Sequence, residues 1–215
     1  LQSGDLDLVA RNMTMTCDRW TQIAFSSEYY HAGQKVLVTR EVAAERRLPL
    51  PYHPRGVGLF ADGIGRSRHS PRNQSVADVL NRAGLATLLF DLLTPAEALD
   101  RANVFDIDLL ARRLLAGTRW IAAQPETGQL EVGYFGASTG AAAALWAAAE
   151  SDRPIDAVVS RGGRPDLAGS RLASVTAPTL LIVGGEDRQV LQLNPAAAEQ
   201  LRCLHEVVAV PGAGP

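Results

Sequence analysis

Gly133-Tyr-Phe-Gly-Ala-Ser-Thr-Gly140 and the alanine-rich run that follows it, residues 141–149, decide the fold of this chain. The aromatic residues Tyr134 and Phe135 are followed by Gly136, then by Ser138, and then by a helix-forming run without turn residues between. This order predicts a strand, a sharp turn and a helix. Residues 136–140 also fit the pattern Gly-x-Ser-x-Gly, in which a nucleophilic serine sits in a strained turn and small neighbours let strand and helix pass closely. Ser138 is therefore a candidate nucleophile, against the alternative that it only caps the helix.

The remainder of the chain from residue 56 alternates short apolar runs with segments of helix length. The pattern predicts strands at 57–61, 86–90, 132–135, 157–160, 179–183 and 206–210, and helices at 75–83, at 104–123 and from Asn194-Pro195 onward. Apolar strands separated by helices predict a mostly parallel sheet covered by helices on both faces. We therefore expect an α/β domain over residues 51–215. Residues 1–50 form an N-terminal segment in which Val36-Leu-Val38 predicts a strand or hairpin.

The composition limits the classes of function. With 215 residues, 47% of them hydrophobic, the chain can bury one substantial core. A net charge of −2 gives no basic field for nucleic acid or an anionic membrane, so we expect a small-molecule ligand. Cys17 and Cys203 stand far apart without metal-ligand spacing, and we expect no disulfide, metal or cofactor. No apolar run reaches membrane-spanning length, and we expect a cytoplasmic protein of unknown oligomeric state.

Loops at the carboxyl ends of the parallel strands share one edge of the sheet, where ligands bind in such folds. A serine nucleophile needs oxyanion donors, a base and an acid that orients the base. The backbone N–H groups of Thr139 and Ile64 are candidate oxyanion donors. Asp187 and its neighbour Glu186 are candidate acids in the loop after 179–183; the alternative for Asp187 is a turn or cap carboxylate.

No histidine stands where the base is needed. After Val210 the chain continues only with Pro211-Gly-Ala-Gly-Pro215. His205 precedes the last strand and should lie at the opposite end of the sheet. His69 follows the first strand of the regular region, on the correct edge, but a solvated loop residue is the stronger interpretation. The sequence therefore predicts a nucleophile and an acid without a base.

Five blocks of sequence together resemble the dienelactone hydrolase-like branch of the α/β-hydrolases. They are 58–73 (beginning Gly-Leu-Phe-Ala-Asp-Gly-Ile-Gly), 83–94, the 136–140 motif, 159–168 (Val-Ser-Arg-Gly-Gly-Arg-Pro-Asp-Leu-Ala) and 177–187 (ending Val-Gly-Gly-Glu-Asp). The resemblance covers about residues 56 to 215. It implies an α/β-hydrolase fold with Ser138 as nucleophile, Asp187 as triad acid, and a histidine in the loop after the last strand, at or just beyond Pro215.

Two departures from the family pattern affect the expected activity. Asp62-Gly63 stands where the family usually has His-Gly, which places a carboxylate beside the oxyanion loop. The triad histidine is either beyond Pro215 or replaced by it, and the last helix is missing, so the domain looks truncated at its C-terminus. We expect a serine hydrolase that acts on a small ester or lactone through an acyl-enzyme and is impaired in this chain.

Two other functions remain open. A non-catalytic binding module of a larger protein fits the absence of a histidine base. Dinucleotide binding is suggested by Gly63-x-Gly65 after one strand and Asp91 after the next, although Arg68 holds the third glycine position. For the hydrolase, Arg161 and Arg164 are candidate ligands of a substrate carboxylate, since arginine suits bidentate pairing; the alternative is that both are solvated.

Overall fold

A computed structural model describes residues 8–10, 36–38, 54–63 and 67–214. Its strands are β1 (Leu8–Ala10), β2 (Val36–Val38), β3 (Gly56–Asp62), β4 (Leu85–Leu89), β5 (Glu131–Ser138), β6 (Ala157–Gly163), β7 (Thr179–Gly184) and β8 (His205–Val210). Its α-helices are α1 (Pro71–Arg82), α2 (Arg101–Phe105), α3 (Ile107–Ala122), α4 (Thr139–Glu150) and α5 (Arg188–Ala198). Short 3-10 helices run over Ser67–His69 and Glu97–Leu99, and the segment Pro165–Ser174 consists of two 3-10 pieces divided at Gly169.

Six of these strands form one parallel sheet in the order β4-β3-β5-β6-β7-β8. Consecutive residues of β3 are buried, which requires cover on both faces of the strand. The predicted parallel sheet is thus confirmed. The predicted strand at 36–38 is β2, which pairs antiparallel with β1.

The alanine-rich helix α4 lies in the centre of the core. Ala141, Ala142, Ala143 and Ala144 are fully buried, as is Leu145. Small side chains let the helix approach β3 and β5 closely, and the same core receives Leu110 and Leu114 from α3. The turn that ends β5 therefore opens directly onto a helix embedded in the molecule.

Three helix boundaries differ from the sequence prediction. Helix α1 begins at Pro71 rather than at 75, because Ser70 caps it and proline suits the first helical position. The predicted helix at 104–123 is two helices, α2 and α3, divided at Asp106. The predicted helix start at Asn194 and Pro195 is wrong: α5 begins at Arg188, and both residues lie inside it.

Some residues singled out from the sequence lie outside the described ranges. These are Cys17, Ile64, Gly65, Pro215 and the N-terminal segment apart from β1 and β2. None of the helices in the described part of the chain combines the length and the apolar character that crossing a membrane requires.

Candidate active site

Ser138 ends β5 in a strained backbone conformation. Its φ of 53° makes it the one non-glycine residue with positive φ in the described ranges. Such a conformation costs an L-residue about 1–3 kcal/mol, so the surrounding structure must impose it. Its side chain makes no capping hydrogen bond to α4. Ser138 therefore does not serve as a helix cap, the alternative that the sequence left open.

Glycines impose the turn because neighbouring backbone occupies the space of a side chain. A Cβ at Gly136 would lie 2.5 Å from Ala141 Cα. A Cβ at Gly140 would overlap the Ala61 carbonyl and lie 2.8 Å from Asp62 Cα. The small flanks that the sequence pattern requires are thus explained by contacts of β5 and β3 with α4.

The start of α4 and the end of β3 meet beside Ser138. Thr139, buried, is the first residue of α4, so its backbone N–H has no partner within the helix. A Cβ at Gly63 would overlap the Thr139 hydroxyl, which places the loop after β3 directly against the helix start. The backbone N–H of Thr139, the predicted oxyanion donor, therefore lies on the edge that carries Ser138; Ile64 follows Gly63 outside the described residues.

Asp187 follows β7 on the same edge of the sheet. Its Oδ1 accepts a hydrogen bond from the backbone N of Val190 at 3.1 Å and so caps α5. Its rival Glu186 is exposed, and the backbone N of Glu186 donates to Ala213 O at 2.9 Å. The cap fixes the Asp187 carboxylate at the first turn of α5.

The segment after β8 returns to the loop that carries Asp187. Gly185 N donates to Val210 O at 2.8 Å, and a Cβ at Gly184 would lie 2.6 Å from Ala213 O and 2.7 Å from Gly214 O. Backbone thus packs on backbone between residues 184–186 and 210–214. Residues 210–214 therefore lie beside the loop that leads into Asp187.

The two histidines in the described part of the chain lie at different ends of the sheet. His205 is the first residue of β8, in register with Thr179 at the start of β7, and is exposed. That is the amino-terminal edge, opposite to Ser138, as the sequence predicts. His69, also exposed, follows β3 and accepts a hydrogen bond at Nε2 from Arg68 Nε at 2.8 Å.

Asn73, a residue that the sequence analysis did not single out, is hydrogen-bonded to two charged side chains, those of Asp62 and Arg161. Asp62, Ala137 and Arg161 stand side by side in register on β3, β5 and β6. Asn73, buried on α1, donates to Asp62 Oδ2 at 3.2 Å and accepts from Arg161 Nη2 at 3.2 Å. Burial lowers the pKa of Arg161, and Asp62 opposes this effect. A buried asparagine shortly after the glycine loop carried no pattern that could have identified it.

The two predicted substrate arginines have different surroundings. The Arg161 guanidinium lies 5.8 Å from the centre of the Phe135 ring in addition to its bond to Asn73. Arg164 is paired with Asp166 through two hydrogen bonds of 2.8 and 2.7 Å. That bidentate pair raises the pKa of Arg164. Asp166 thus takes up the Nε and Nη2 side of the Arg164 guanidinium, which would otherwise be open to a bidentate substrate carboxylate.

Asp91, the candidate ribose ligand, is also engaged. Arg68 Nη1 lies 2.9 Å from Asp91 Oδ2. Burial raises the pKa of Asp91, and the Arg68 guanidinium opposes that rise.

No cluster of metal-ligating side chains occurs within the described ranges, and Cys203 is a half-buried free thiol there.

Solved structures similar to this chain share its fold. A crystal structure of a dienelactone hydrolase from Anabaena variabilis is 56% identical with a TM-score of 0.72, covering 77% of this chain and 78% of that one. A Pyrococcus furiosus esterase is 16% identical with a TM-score of 0.56, covering 74% of each chain. At that lower identity only the fold is shared.

Among curated proteins, a putative phosphoribosyl transferase of Mycobacterium tuberculosis is 59% identical over 177 residues. The match takes in 82% of this chain but 40% of that protein, so the chain spans well under half of the relative's length. An uncharacterized protein of the same organism is 30% identical, with 88% of this chain and 74% of that protein covered.

One comparison disagrees with the structural ones. The family model of bacterial extracellular solute-binding proteins, family 3, matches residues 1–194, and by extent alone it would place the chain in that family. That match ends inside α5 and omits β8, which is hydrogen-bonded into the same sheet. The hydrolase comparison rests on 56% identity and agrees with the strained serine between β5 and α4. The chain belongs to the dienelactone hydrolase-like family of α/β-hydrolases.

Proposed function

We propose that this chain is a serine hydrolase domain that cleaves a small ester or lactone through an acyl-enzyme on Ser138. The observation that carries the proposal is the backbone of Ser138, which is strained at φ 53° although its side chain makes no cap bond. A serine retained only for the helix would relax into a capping geometry. Strain at a serine whose side chain forms no cap bond is typical of a residue selected to present its hydroxyl.

In the proposed reaction a base removes the Ser138 hydroxyl proton while Oγ attacks the substrate carbonyl carbon. Negative charge develops on the carbonyl oxygen, and the N–H of Thr139, which has no partner within α4, stabilises it with Ile64 as second donor. The leaving alkoxide takes the proton from the base, and water then hydrolyses the acyl-enzyme by the same steps.

Asp187 is proposed as the acid that orients the base. We propose further that the base is a histidine beyond Pro215, because residues 211–214 lie against the loop 184–186 that leads into Asp187. A histidine there would be oriented by the Asp187 carboxylate and would lie on the same sheet edge as Ser138. Arg161 is the stronger candidate for binding a substrate carboxylate, since Asp166 already occupies Arg164.

Covalent labelling tests the proposal directly. A fluorophosphonate should modify the full-length protein at Ser138, and Ser138→Ala should abolish the modification. Peptide mass spectrometry locates the adduct. Absence of labelling at Ser138 in the folded full-length protein would refute the proposal.

A non-catalytic binding module of a larger protein remains the second candidate. It is favoured by the two described histidines, since His205 lies at the far edge and His69 is exposed beside Arg68. The curated relative's greater length is compatible with such a module. The dinucleotide alternative finds less support, because Arg68 occupies the carboxylate of Asp91.

A further inference from the structure

The peptide unit between Gly163 and Arg164 is held from both sides. Its N–H, on Arg164, donates to the carbonyl of Ser138 at 3.0 Å. Its carbonyl, on Gly163, accepts from Nδ2 of Asn194 at 3.2 Å. Asn194 belongs to α5, the helix that begins directly after Asp187. One peptide unit therefore connects the candidate nucleophile to the helix that carries the candidate acid.

The Asn194 amide has a defined orientation. Its Nδ2 also donates to Val190 O at 2.8 Å, and two carbonyl partners require that the NH₂ group point toward them. Asn194 is fully buried, and its Oδ1 has no hydrogen-bond partner. An unpaired buried acceptor destabilises the folded state, so the donor side of the amide is the reason for having asparagine here.

The end of β6 is also packed closely against α4, which limits its movement. A Cβ at Gly163 would overlap Ala141 Cβ on α4 and the hydroxyl of Ser160. Gly163 is also the residue in register with Ser138, after an irregularity in the ladder between Ala137 and Ser138. Hydrogen bonds at both ends of one peptide polarise each other and favour a fixed geometry.

We propose that Asn194 is a positioning residue that fixes Ser138 relative to Asp187 through the Gly163–Arg164 peptide. Its importance for catalysis rests on the proposed function, whereas the mechanical link can be measured without turnover. Asn194 touches no reacting atom; it acts through the peptide that holds the Ser138 carbonyl.

Amide hydrogen exchange in the full chain tests the link. Asn194→Leu removes the donor at similar volume and should accelerate exchange of the Arg164 N–H about tenfold or more, because its hydrogen bond to Ser138 loses support. Thr118→Val is the matched control: Thr118 is also buried and bonded, to Leu114 O at 3.0 Å and to the Tyr134 hydroxyl at 2.7 Å, but lies on α3. It should leave Arg164 exchange unchanged. Unaltered Arg164 exchange in folded Asn194→Leu overturns the inference.

Asn194→Asp supplies a second readout and serves if the leucine variant does not fold. A protonated carboxyl can donate to Gly163 O, whereas a carboxylate cannot. The ratio of Arg164 exchange rates in Asn194→Asp and wild type, compared at equal pH, should be lowest in acid, where the one carboxyl O–H can donate to Gly163 O, and rise as the carboxyl ionises. A ratio that does not change with pH would show that Asn194 only fills space.

Labelling of Ser138 separates this inference from the proposed function. In full-length protein that labels, Asn194→Leu should slow labelling about tenfold or more, while Thr118→Val leaves it unchanged. Faster Arg164 exchange with unchanged labelling refutes the positioning role. If wild-type protein does not label, the hydrolase proposal fails, and the exchange experiment still decides whether Asn194 holds the Ser138 strand to α5.

Discussion

At the scale of single residues, the helix caps of this protein show what Ser138 is not doing. Four helices begin with a side chain that accepts a backbone hydrogen bond: Ser70, Asp100, Asp106 and Asp187. Serine is as good a cap as aspartate, yet Ser138 at the start of α4 makes no such bond. The comparison within one molecule supports a role for its hydroxyl outside the helix.

Asp187 combines a structural and a proposed chemical role, and two substitutions separate them. Asp187→Asn keeps a good capping side chain, so the free energy of unfolding should hardly change, whereas Asp187→Ala should lose about 1 kcal/mol. Both should slow Ser138 labelling in full-length protein by on the order of a thousandfold or more, because neither can orient a base as a carboxylate does. Urea denaturation and labelling kinetics measure the two effects. If Asp187→Asn labels at the wild-type rate, Asp187 is only a helix cap and does not act as the triad acid.

Gly140 should tolerate no side chain. Gly140→Ala should destabilise the protein by about 1–3 kcal/mol, since the new methyl group meets β3 backbone that cannot move aside. Gly58→Ala, within β3, is the control, because its Cβ would find only ordinary contacts at 3.9 Å. Thermal unfolding measures both. Equal melting temperatures for the two variants would contradict the close approach of α4 to β3.

At the scale of elements, the sequence predicted the strands well and one helix start poorly. Short apolar runs identify the buried strands of a parallel sheet from local sequence alone, without knowledge of tertiary contacts. Asn194-Pro195 looked like a cap and first turn because local preference alone was available. In the structure Asn194 is turned into the core to bond Gly163, a contact across 31 residues that local pattern does not encode.

The packing of α3 on β5 predicts a pH dependence of stability. Burial raises the pKa of Tyr134 to about 12, although its hydrogen bond with Thr118 works in the other direction. An unfolded tyrosine ionises near its ordinary pKa of about 10. The free energy of unfolding should therefore be unaffected by Tyr134 below pH ~10 and fall as the pH rises from there toward 12.

Tyr134→Phe provides the measurement. The variant should lose less stability than wild type between pH ~10 and ~12, with circular dichroism reporting unfolding and absorbance near 295 nm reporting phenolate. A wild-type titration in which every tyrosine ionises near pH 10 while the protein stays folded would contradict the burial of Tyr134.

At the scale of the whole molecule, the order of the loops made the site predictable in outline. The carboxyl ends of β3, β5, β6 and β7 share one edge, so a strand pattern alone brings Ser138, Arg161 and Asp187 to one side. What the order cannot give is pairing between side chains. The bond of Asn73 to Arg161 spans 88 residues, and the Asp166 pair depends on the exact end of β6.

The length of the chain relative to its curated relatives leads to a prediction about activity. If the base lies beyond residue 215, full-length protein should label at Ser138 on the order of a thousandfold or more faster than the 215-residue chain. The comparison is made with one fluorophosphonate at one pH, after circular dichroism shows that both proteins are folded. Equal, rapid labelling would place the base within the 215 residues and direct attention to His69.

The contact between residues 210–214 and Gly184–Glu186 has a consequence for sequence variation. Main-chain atoms make it, so the side chains at 211, 213 and 214 can change while the path of the chain is kept; Gly212, at φ 70°, is the exception, because that conformation favours glycine. Gly184 has no such freedom, because a methyl group there would push away the carbonyls of Ala213 and Gly214. A substitution of Gly184 would therefore lower activity although Gly184 holds no reacting group, because it would move the acid loop and residues 210–214 apart.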